Sequence, residues 1–199
     1  MGTRTSRTAY PIRDAKQGGA VGIWGAWLTM VVLGTALAGL VVSGIYLYWG
    51  QEAWPPEGFE APGRGLGILA LLLSIATGAT CFAALRVLRN GLELLCGHVL
   101  FGTVLLGGAT LATLIVDLVG SGWRWDEHVY TSLFWIFVGN AALFVTIALL
   151  MTVAVLVQRL ANVLDVDRHL ELEVTIIFWG YAALTVASML GIVHLLPHR

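Results

Sequence analysis

Five long apolar runs dominate this chain, roughly Val21–Tyr48, Leu66–Leu88, Leu92–Val119, Val129–Val157 and Val174–Leu196. Each meets the ~20 residues that an α-helix needs to cross hydrocarbon. All five prolines (Pro11, Pro55, Pro56, Pro62 and Pro197) fall outside these runs, as expected where the backbone must satisfy its own hydrogen bonds. Only 12% of the residues are charged and 58% are hydrophobic. That leaves too little ionisable surface to clothe a soluble core. The expected fold is all-α: a polytopic membrane protein made of a five-helix transmembrane bundle (21–199) behind a polar, basic tail (1–20).

Orientation follows from the cations. Eight lie in the tail and in the second and fourth connections (Arg4, Arg7, Arg13, Lys16, Arg86, Arg89, Arg159, Arg168), against Arg64, Arg124 and Arg199 on the other side. The excess predicts a cytoplasmic N-terminus and an external C-terminus, as for a multi-pass protein of a bacterial inner membrane. Tyr46, Tyr48, Trp49 and Trp54 read as an outer aromatic belt, Trp123, Trp125 and Tyr130 as a second outer group, and Trp24 and Trp27 as an inner one. The short turn around Asn90-Gly91 makes the second and third helices an antiparallel hairpin. Small residues spaced by four (Thr35/Gly39/Ser43 on the first helix and Ala76/Thr80/Ala84 on the second) offer faces where backbones approach closely. Cys81 and Cys96 each stand alone within a helix, which suits burial better than a disulfide or a metal. No basic patch suggests nucleic acid.

Ionisable groups at membrane depth are the first places to look for chemistry. His98 lies about two turns into the third helix, and Asp117 near its far end. Glu93, Glu173 and His194 stand close to span ends, where side chains reach water at little cost. The span centres are almost bare, which weighs against a transporter acting alone. A heme-b- or quinone-associated anchor would need paired histidines at matched depth. His98 with His169 is the conceivable pair, since His128 and His169 sit at helix starts and His194 and His198 at the outer end. Nucleophile elbows, phosphate loops and metal-ligand clusters are absent from the sequence.

In the final run His169 is followed by Glu173 and then by Phe178-Trp179; Ser132-Leu133-Phe134-Trp135 with Gly139 opens the fourth; Gly22-Ile23-Trp24 opens the first; and Ala84–Gly91 closes the second. In this order the motifs resemble the subunit III family of heme-copper (cytochrome c) oxidases, some bacterial members of which have five helices. Other polar positions of the family are replaced here: Thr29-Met30 stands for Ser-Glu, Phe82 and Leu85 for two histidines, and Ala141, Phe144, Gly180 and Ala183 for further polar residues.

The resemblance implies a non-catalytic accessory subunit of a respiratory terminal oxidase. Such a chain holds no heme or copper itself, packs beside a larger catalytic subunit that carries both, holds phospholipid in clefts and supports proton uptake. No catalytic or metal-binding residue is expected. His169, Glu173, Trp179 and His98 are the candidate lipid or structural polar sites. At Glu173 the simplest expectation is a first-turn carboxylate favoured by the helix dipole and paired with His169 four residues earlier.

Overall fold

In this computed structural model, residues 13–60, 62–161, 164 and 169–196 are described, the first eight of them by backbone alone. Arg4, Arg7, Arg168, Arg199, Pro11, Pro197 and His198 lie outside the described residues.

Apolar composition and helix-permissive residues yield five α-helices: α1 (Arg13–Trp49), α2 (Arg64–Arg89), α3 (Glu93–Gly120), α4 (Val129–Leu160) and α5 (Leu170–Met189). The last continues into a π-helical turn over Leu190–Leu195. All five are long and apolar enough to cross a membrane, and the chain is a multi-pass membrane protein. Three helices begin earlier than the apolar runs, α2 by two residues and α1 and α5 by more. α1 starts at Arg13, because Ala15, Lys16 and Gln17 are good helix formers that let the helix extend into the polar tail. α5 starts at Leu170, with His169 at its N-cap and Glu171 and Glu173 in its first turn, where carboxylates suit the helix dipole.

Helices α2, α3, α4 and α5 close a four-membered ring in which each packs on two neighbours. α1 stands outside the ring and packs mainly on α5. Its central window is only 11% buried, against 28% to 44% for the other four, so α1 is an attachment to the bundle rather than a wall of it.

At the centre of the ring Trp179 is fully buried. Its indole Nε1 donates to Thr152 Oγ1 at 2.8 Å, joining α5 to α4. A side chain at Gly107 of α3 would stand 3.0 Å from the indole ring, so the missing side chain makes room for it. Thr103 donates to Thr80 at 3.1 Å across α2 and α3, and Tyr181 donates to the Leu33 carbonyl at 2.9 Å, tying α5 to α1. Such interhelical bonds average about 0.6 kcal/mol in a membrane. Close packing of side chains such as Trp179, Phe134 and Phe137 therefore contributes most of the cohesion.

The two ends of the bundle differ. One carries the α2–α3 turn, the end of α4 and the start of α5; we call it the basic end. The other, the aromatic end, carries the loops 50–63 and 121–128. There, Trp54 meets Tyr48 and Tyr130 edge-on, with ring centroids 5.9 and 4.9 Å apart, and Trp123 meets Tyr130 and Phe134 at 5.5 and 5.1 Å. The belt expectation is thereby divided. Trp24, Trp27, Tyr46, Trp49 and Trp125 are exposed, whereas Tyr130 is buried and Trp54 and Trp123 are partly so, because both loops fold back over the helix ends and make a cap of these rings.

Candidate functional site

The polar side chains singled out in the sequence fall into three places. At the basic end, Glu173 lies on the first turn of α5, one turn beyond His169. His169 Nε2 is 3.1 Å from Glu173 Oε1, as the four-residue spacing predicts. The same oxygen accepts from Arg89 Nη2 at the end of α2, a partner 84 positions away that spacing could not reveal. Nearby, Arg159 of α4 pairs with the Glu93 carboxylate at 3.0 Å and donates through Nε to the Glu93 carbonyl at 3.0 Å. These contacts tie α2 to α5 and α3 to α4 around an end that stays in contact with solvent. The Arg89 and Glu93 side chains are 52% and 50% exposed, and pairs of this kind contribute about 0 to 1 kcal/mol each.

His98 is exposed on α3, and its Nδ1 contacts the Leu94 carbonyl at 2.9 Å. It lines a shallow groove of about 250 Å³ with Leu94, Gly97, Phe101, Leu156 and Leu160, between α3 and α4. His98 and His169 thus each have a separate partner, and Trp179, the fourth candidate, is a central packing residue. Among the described residues no group of three or more His, Cys, Asp and Glu side chains gathers in a way that could hold a metal ion.

The most enclosed ionisable site is one the span-end reasoning passed over. His194, placed by the sequence near enough to a helix end to reach water, is completely buried, and Asp117 almost so. The correction has a local cause. The π-helical turn over Leu190–Leu195 carries one extra residue per hydrogen-bonded ring, and the Leu196 N–H accordingly bonds to the Gly191 carbonyl. His194 is held between α2 and α3, its Nε2 2.9 Å from Asp117 Oδ2 and its Nδ1 3.1 Å from the carbonyl of Gly63, the residue before α2. Room for the ring is made by Gly67, where an added Cβ would come within 2.8 Å of His194 Cδ2.

Asp117 also lines an open cavity of about 760 Å³ at the aromatic end, together with Glu60, Gly63, Leu66, Ser121 and Trp123 among others. One available signal was parity: Asp117 closes the third helix and His194 the fifth, and odd-numbered helices end on the same side. A second pair, Arg124 with Asp126, lies exposed in the loop before α4, with hydrogen bonds of 3.1 and 3.0 Å. The bond from Arg124 holds the Asp126 carboxyl below its ordinary range.

No protein-family model matches the chain, and no curated protein matches it.

Proposed function

We propose that this chain is a non-catalytic accessory subunit of a respiratory terminal oxidase, similar in kind to subunit III of the heme-copper oxidases. It would pack beside a larger subunit that carries the heme and copper, in a bacterial cytoplasmic membrane, with its N-terminus in the cytoplasm. The observation that carries this reading is the uncovered face of α1. Thr35, Gly39 and Ser43 form a stripe of small residues, all exposed, and a side chain added at Gly39 would meet nothing within 4 Å. On α2 the matching stripe is in use: Ala84 is buried and Thr80 accepts from Thr103 of α3. A face that lets backbones approach, flanked by exposed Val31, Val32 and Val42, suits a helix of another membrane subunit.

The internal polar residues fit a packing role. Thr110, Thr152, Thr175 and Thr185 donate to carbonyls of their own helices, and Trp179 joins two helices. The groove at His98 is shaped for an acyl chain. Arg86, with its guanidinium 4.8 Å over the Phe82 ring, is exposed near the basic end, as a lipid-phosphate contact requires.

Purification of the tagged chain after mild detergent extraction tests the reading. The expected result is a larger copper- and heme-bearing polypeptide in the same complex, and loss of that polypeptide from a Gly39→Leu variant that keeps its helical content. Recovery of this chain by itself from membranes, or a Soret band belonging to the isolated chain, would overturn it.

A further inference from the structure

The buried pair at the aromatic end can be read by counting hydrogens. A carbonyl oxygen only accepts, so the contact between His194 Nδ1 and the Gly63 oxygen, 3.1 Å long, requires a hydrogen on Nδ1. The other ring nitrogen, Nε2, is 2.9 Å from Asp117 Oδ2. With Nδ1 already protonated, this second contact contains one proton in either of two forms. An imidazolium faces a carboxylate, or a neutral ring accepts from a carboxylic acid. Both forms are neutral as a pair, which suits a site with almost no solvent contact. Without that proton the Nε2 lone pair faces a carboxylate oxygen, and two acceptors are left in contact.

The geometry points to a proton-binding site: His194 and Asp117 take up and release one proton as a unit, exchanging it with water in the cavity that Asp117 lines. The cavity, at about 760 Å³, has room for roughly two dozen waters at ~30 Å³ each. His194 is sealed from it, with its side chain 0% exposed, while the Asp117 side chain keeps 6%, so the carboxylate is the point of entry. Asp117 Oδ1 accepts no hydrogen bond from the described residues and is free to bond water. The surroundings fix the pair in place: Gly67 leaves space for the ring, and the Gly63 carbonyl sets which nitrogen faces Asp117.

Other ionisable groups approach from several elements. Glu60, from the loop before α2, lines the same cavity. Arg64 follows Gly63 at the start of α2. On the α4 side, His128 lies against Phe59, and Tyr130 against Trp123. The bridge to Asp117 belongs to His194.

This site is independent of the accessory-subunit reading and is tested on the full chain in phospholipid vesicles. His194 is the one histidine preceded by valine in the sequence, so valine carbonyl-¹³C labelling combined with uniform ¹³C,¹⁵N labelling of histidine selects its amide and, through the histidine carbons, its ring, without a substitution. The ring ¹⁵N signals are followed from about pH 4 to about pH 9, the span in which free carboxylates and histidines titrate. The expected result is a single transition at Nε2 with Nδ1 protonated throughout, and its disappearance in Asp117→Asn. There the amide can donate to Nε2, so the hydrogen bond is kept while the acid is removed. A wild-type ring that stays in one state across the range overturns the proposal, as does a transition that persists unmoved in D117N.

Discussion

The two ends of the bundle hold similar chemistry in opposite settings. Each has a histidine within hydrogen-bonding distance of a carboxylate, 3.1 Å apart for His169 and Glu173 and 2.9 Å for His194 and Asp117. At the basic end a tight turn joins α2 to α3, and Arg89, Glu93 and Glu173 keep solvent contact. At the aromatic end two longer loops fold back, their rings stack over the bundle, and the histidine loses all exposure. Depth along the helix is similar. What differs is the covering, and burial sets the strength: about 0 to 1 kcal/mol for an exposed pair, against about 3 to 5 kcal/mol when one partner of a buried pair is removed.

That contrast can be broken from its strong side first. His194→Ala leaves Asp117 and the Gly63 carbonyl without their partner, and is expected to lower stability by about 3 to 5 kcal/mol, read as an earlier unfolding transition in mild detergent. Gly67→Val should come next. Its side chain enters space held by the His194 ring, a case of overpacking that costs about 1 to 3 kcal/mol, and the unfolding curve measures it. At the basic end Glu173→Gln should cost under about 1 kcal/mol, and salt should diminish the difference from the parent chain. A large salt-insensitive loss there would contradict the comparison.

Arg124→Ala should have the smallest effect. The Asp126 carboxyl lies below its ordinary range because Arg124 bonds to it, so whatever stabilisation the pair adds is present at neutral pH. It is lost as the pH falls through that lowered value. The variant should match the parent chain in acid and differ at most slightly at neutral pH, since both side chains are exposed to solvent.

The spans were legible because lipid imposes a simple demand: about 20 apolar residues uninterrupted by proline. The His169–Glu173 pair was legible because both residues share one helix, where a spacing of four brings side chains together. Arg89 was not, because its approach depends on how α2 packs against α5. His194 was misjudged for a related reason. Its place close to a span end implied easy access to water; the local π-helical turn and the overlying loops, a tertiary feature, deny it. The two small-residue stripes have the same spacing on α1 and α2, and only the fold distinguishes the one occupied by α3 from the one left bare.

The placement of α1 also orders the protein's birth. α1, made before the other four helices, rests mainly on α5, made after them, and Tyr181, whose hydroxyl reaches the Leu33 carbonyl, is synthesised 148 residues after it. At ~5–20 residues per second, α1 waits in the bilayer for many seconds before its own chain can receive it. During that interval its stripe of Thr35, Gly39 and Ser43 is open to any neighbouring helix, so another helix present at the site of insertion can meet this chain before its bundle has closed.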